Sequence, residues 1–97
     1  MTEIENYIPF GKENAVSRKQ LVNVTGFTDR KVRYLISKAR REHPIINLSD
    51  GSGYYRPTIE EYMEAKHFYK QERCRALSIL WSLSGIKKWI RSVDING

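Results

Sequence analysis

Arginine and lysine crowd one stretch of this 97-residue chain. Between Ser17 and Arg41 stand Arg18, Lys19, Arg30, Lys31, Arg33, Lys38, Arg40 and Arg41 against Asp29 alone, a balance of +7 where the whole chain carries +6. Cationic groups at that density make a local positive field suited to polyanions, of which nucleic acid is the commonest. The plain alternative is a solvated helix face that happens to be basic. Other reactive residue types are too sparse for chemistry. His43 and His67 have no carboxylate or thiol cluster nearby in sequence, so no metal site is expected. Asp50-Gly51-Ser52-Gly53 lacks the Gly-Lys-Ser/Thr that a phosphate-gripping loop needs. Cys74 is alone, which removes internal disulfides and cysteine zinc sites, and it reads as a small packing residue. No Ser/His/Asp or Cys/His set stands in a recognised order, and so short a chain leaves little room for a substrate cavity. Binding without catalysis, and without a cofactor, is the expectation.

The elements that must carry these charges can be read locally. Ser17 and Gln20 form a capping box, and a short helix through Leu21, Val22 and Val24 should stop at Gly26. Phe27 is expected to be buried in the turn, and Thr28 to cap a second helix over 28–42. There Val32, Leu35, Ile36 and Ala39 fall at i, i+3, i+4 and i+7, one apolar stripe. Arg30, Tyr34, Ser37 and Arg41 lie opposite, flanked by Arg33 and Lys38. His43-Pro44 closes the helix. Ile45 to Leu48 and Gly53 to Arg56 read as the strands of a hairpin turning at Asp50-Gly51, with Ala15-Val16 as a possible third edge. Tyr54 and Tyr55 should alternate between core and solvent. Thr58 and Glu61 make a second capping box for a long helix, or two joined near Ser84-Gly85.

The order of helix, glycine turn, helix, glycine-loop hairpin and helix resembles the winged helix-turn-helix DNA-binding family. The stretch Ser17-Arg-Lys-Gln-Leu-Val-Asn-Val-Thr-Gly-Phe-Thr-Asp-Arg-Lys-Val-Arg-Tyr-Leu-Ile36 carries the motif. Leu21, Gly26, Phe27, Val32 and Leu35 match its packing positions, and Val22 departs from the small residue the family prefers. With the wing Ser49-Asp-Gly-Ser-Gly-Tyr-Tyr-Arg56, the chain looks like small phage or prophage winged-helix proteins. The resemblance implies a mainly α domain with a small β-hairpin wing over residues 1–70, comprising a short segment 1–14, a helix-turn-helix 17–42 and a wing 45–56. A C-terminal helical extension, 58–97, follows. It further implies double-stranded DNA as partner, with the second helix in the major groove. Arg30, Arg33, Tyr34 and Ser37 then face base edges. Arg18, Lys19, Thr28, Lys31, Lys38, Arg40 and Arg41 meet phosphates, and Ser52 and Arg56 are wing contacts. Asp29 opposes phosphate unless it pairs Arg33 or accepts from a cytosine.

Transcriptional regulation by operator occupancy is the first expectation. A phage replication or recombination accessory protein, or a winged helix that meets an acidic protein, are its alternatives. Leu80, Trp81, Leu83, Ile86, Trp89 and Ile90 are expected to form a homodimer surface, the alternative being a last segment that folds back at Gly85 onto its own core. Positions 62, 69, 76, 83 and 90 are seven apart and apolar or aromatic, but Lys66, Arg73 and Lys87 interrupt the i+4 row that a heptad seam also needs. No stretch approaches a spanning length, and the start lacks the basic and apolar regions of a signal peptide, so a cytoplasmic protein is expected.

Overall fold

Helix α1, Arg18–Thr25, begins where the Ser17 hydroxyl accepts the Gln20 amide at 3.1 Å and the Gln20 side chain accepts the Ser17 amide at 2.7 Å. It stops at Gly26, whose φ of 75° is the left-handed conformation that side chains resist. Both ends are as the sequence predicts. These and all later details come from a computed structural model, which describes residues 3–48, 50 and 53–96.

The turn Gly26-Phe27-Thr28 leads into helix α2, Asp29–Ala39, capped by the Thr28 hydroxyl accepting the Lys31 amide at 3.2 Å. The expected stripe is the buried face: Val32 and Ile36 are fully covered, with Leu35, Ala39 and Phe27 packed against them. Val22 lies in the same packing layer, so the larger side chain is accommodated between the helices. The helix is shorter than the 28–42 expected. After Ala39 the amides of Arg41 and Glu42 reach back only three residues, and the His43 amide closes on the Ala39 carbonyl at 2.8 Å. That tightening ends the helix before Pro44 can clash with it.

Strands β1, Ile46–Asn47, and β2, Tyr54–Tyr55, form the antiparallel hairpin, pairing Ile46 with Tyr55 and Asn47 with Tyr54. Val16 adds a single antiparallel bridge to Tyr54 with bonds of 2.7 and 3.0 Å, the third edge reduced to one residue. Gly53 suits that approach, because a Cβ there would stand a tight 3.1 Å from the Ala15 Cβ. Gly51 of the expected turn lies outside the described residues, as does Ser52.

The alternation expected at Tyr54 and Tyr55 fails: both are buried. Tyr54 joins the core with Leu21, Val32 and Ile45. Tyr55 points the other way, where Glu61 and Glu64 at the start of the next helix stand near it, and burial pushes its hydroxyl pKa up. Both faces of β2 are covered.

The segment 1–14 holds more than the sequence promised. Two 3-10 turns, Ile4–Tyr7 and Lys12–Asn14, place Ile4 and Ile8 in the core, Ile8 with no exposed surface. Phe10 bridges to Arg56, and the Gly11 amide bonds the Arg56 carbonyl at 2.9 Å. A third 3-10 turn, Ile59–Glu61, runs into helix α3, Tyr62–Ser82, and α4 follows as Ser84–Asn96. The break at Leu83 is where two joined helices were expected. The fold is mainly helical with a small two-stranded sheet.

The chain divides into two compact units, Met1–Ala65 and Lys66–Gly97. No helix among the described residues is long and apolar enough to cross a membrane.

Candidate nucleic-acid interface

Helix α2 separates its two faces by residue type. Its apolar stripe is locked in the core of the first unit, which holds the outward side chains in a fixed register. Arg30, Arg33, Tyr34 and Ser37 are all exposed, Tyr34 at 58%, so the tyrosine does not merely cover the stripe. Among the described residues, the guanidinium groups of Arg30, Arg33 and Arg41 and the ammonium of Lys19 have no ionic or hydrogen-bonded partner. The Ser37 hydroxyl donates to the Tyr34 carbonyl at 2.7 Å, which ties it to its own helix. Lys31 and Lys38 are exposed, and their ammonium groups lie 4.2 Å from the Phe27 ring and 5.4 Å from the Tyr34 ring. The two rings thus anchor the lysines beside the arginine face.

Three of the expected phosphate and wing contacts have structural work instead of, or besides, that role. Arg18 Nε donates to Asp29 Oδ1 at 2.6 Å; Asp29 first and the nearby Tyr54 hydroxyl next hold the guanidinium pKa up. Asp29 therefore pairs Arg18 across the two helices, where sequence spacing had offered Arg33. The pairing neutralises a carboxylate that would oppose phosphate at the start of α2. Arg40 Nε donates to the Ile45 carbonyl at 3.3 Å and its guanidinium stands 5.7 Å from the Tyr54 ring, joining the end of α2 to the hairpin.

Arg56 has structural work as well. It is half-buried, donates to the Ile8 carbonyl at 2.8 Å and covers the Phe10 ring at 4.1 Å. These contacts tie the end of the hairpin to the N-terminal segment. Ser52, the other expected wing contact, lies outside the described residues.

Beyond the basic face, the structure gathers groups that the sequence scatters. Glu5, 8% exposed, meets His43 Nε2 at 3.3 Å beside Glu3 and Glu42, in an open cavity of about 390 Å³. The Glu5 carboxyl is held below its ordinary pKa first by its own backbone N–H and then by Glu3 and His43, while Glu3 is pushed up by the Glu5 carboxyl beside it. His43 thus has a carboxylate partner after all, 38 positions away and invisible to local spacing. Among the described residues no set of three or more His, Cys, Asp or Glu is arranged to hold a metal. Cys74 is exposed on α3, where packing was expected.

No protein-family model, curated protein or solved structure matches this chain.

Proposed function

We propose that the protein binds double-stranded DNA as a winged helix-turn-helix module and regulates transcription by occupying an operator. The observation that supports this reading is the exposed face of α2. Arg30 and Arg33 stand free on a helix whose opposite side is anchored in the core. An α-helix fits the major groove, and an unpaired guanidinium there can make two bonds to a guanine. Lys19, Lys31, Lys38 and Arg41 supply phosphate contacts around it, which set orientation and not sequence. Thr28 opens α2, where helix-end amides suit a phosphate. Arg18 and Arg40 contribute by holding α1, α2 and the hairpin in place.

Titration of fluorescent duplexes of random and selected sequence tests the reading. Affinity should fall steeply and logarithmically with salt, because phosphate neutralisation releases counterions. A selected site should bind well above random DNA. Salt-dependent binding with no preference for any sequence would remove the operator role. An absence of duplex binding at low salt would remove DNA altogether and leave the basic face to an acidic protein.

A further inference from the structure

We propose that the end of α3 and the whole of α4 form a self-association surface whose occupant is the same surface of a second copy. From Ala76 to Ile86 the chain has no charged residue. Leu77, Leu80 and Trp81 fall on one side of α3 and Ile79 on another, with Leu83 following at the break, so only Ser78 and Ser82 interrupt the apolar circumference of its last two turns. Helices apolar all round are buried ones. Yet every residue from Tyr69 to Ile95 is exposed, Trp81 by 73% and Trp89 by 62%. Along α4, Ile86, Trp89, Ile90 and Val93 fall at i, i+3, i+4 and i+7, an unpartnered stripe.

Area and charge name the occupant. The exposed apolar side chains of 77–93 amount to on the order of 10³ Å², beyond the few hundred a monomer usually leaves open and close to the ~800 Å² each partner gives a standard interface. A bilayer surface selects helices whose polar face is rich in lysine and arginine. Over 76–86 the polar positions are serine, and the nearest bases are Arg73 and Arg75 before it and Lys87, Lys88 and Arg91 after, the last three on the side of α4 opposite its stripe. A two-fold pair lets the charge-free centre face itself, and the small serines let the helices come close. The basic flanks of two copies repel each other.

That charge arrangement gives the association a distinctive salt dependence, independent of the DNA reading. Screening the flanks should tighten it, whereas DNA binding loosens with salt. Sedimentation velocity of the full chain, without DNA, at micromolar concentration tests this in about 0.1 M and about 1 M salt, where charges are felt over roughly 10 Å and 3 Å. A species of twice 11.4 kDa, more populated at high salt, is expected. Trp81→Glu and Leu80→Glu, at positions already exposed in the single chain, should return it to one chain with unchanged circular dichroism. Trp81→Phe should leave it associated. A single-chain mass in both salts overturns the proposal, as does association that weakens with salt. So does a single chain that floats with phosphatidylglycerol vesicles, or one whose tryptophans resist acrylamide quenching because its own chain covers them.

Discussion

Arg30 and Arg33 carry the specificity of the proposed interface, and their freedom from intramolecular partners gives each substitution a clean meaning. Arg33→Ala or Arg30→Ala should lower preference for the best site over random duplex by about 1–3 kcal/mol for each base that the guanidinium reads. Competition titrations measure it, and equal weakening on every sequence would make the helix a phosphate clamp. Arg41→Ala should act differently, weakening all duplexes alike and flattening the salt slope by about one unit. Arg40 looks equivalent in sequence but is not, since its Nε bonds the Ile45 carbonyl. Arg40→Ala should also cost stability, ~1 kcal/mol for a hydrogen bond, visible in urea unfolding without DNA. Neighbours in sequence can thus be separated by two assays. The exposed face of α2 was legible because helical periodicity alone dictates which residues share a side. The partners of Arg18, Arg40 and Arg56 were not, because each bond closes only when separate elements meet.

At the scale of elements, what local chemistry controls was readable and what neighbours control was not. The boxes at Ser17 and Thr58, the cap at Thr28 and the stop at Gly26 depend on residues three or four apart. Gly26 makes the sharpest test. Nothing lies within 4 Å of the Cβ an alanine would add, so Gly26→Ala should cost only the left-handed backbone strain, about 1–2 kcal/mol in urea unfolding. Alternation fails at Tyr54 and Tyr55 because it sorts residues by face and cannot say whether the second face is covered. Glu61 helps to hold the cover on that second face. Its carboxylate accepts the Thr58 amide at 3.0 Å and the Lys12 amide at 2.8 Å, and these bonds, Thr58 first, lower its pKa. A carboxyl with a depressed pKa stabilises the fold above its ordinary value, 4.5, and that contribution fades as pH falls through the lowered one. Glu61→Ala should therefore shift the urea midpoint at neutral pH and progressively less below pH 4.5. A constant difference across that range would detach the effect from ionisation.

For the whole molecule, the N-terminal segment decides whether a basic helix becomes a usable surface. The unit that carries α2 is only 65 residues long, a size at which a single core is marginal and roughly 3–10 kcal/mol is all that separates folded from unfolded chains. Ile4 and Ile8 fill part of that core from a stretch with no helical or strand periodicity, and Ile8 is fully enclosed. The first 3-10 turn packs on α2 itself, and the Glu5–His43 pair joins it to the chain just beyond that helix. Without it, the side of α2 away from the proposed groove would lose cover that neither α1 nor the hairpin supplies. Ile8→Ala leaves a cavity as well as losing buried surface, a cost of about 2–5 kcal/mol at such sites. In a unit this small that approaches the total, so the variant should melt far earlier and bind every duplex weakly, although no residue of the basic face has changed. Ile8→Val, which removes one methylene, should cost only about 0.5–1.5 kcal/mol and keep binding. Thermal unfolding of both variants, set beside their DNA titrations, checks the chain of causes. An Ile8→Ala protein that unfolds like the parent would show that the N-terminal turn is dispensable to the core, and α2 would then owe its placement to α1 and the hairpin alone.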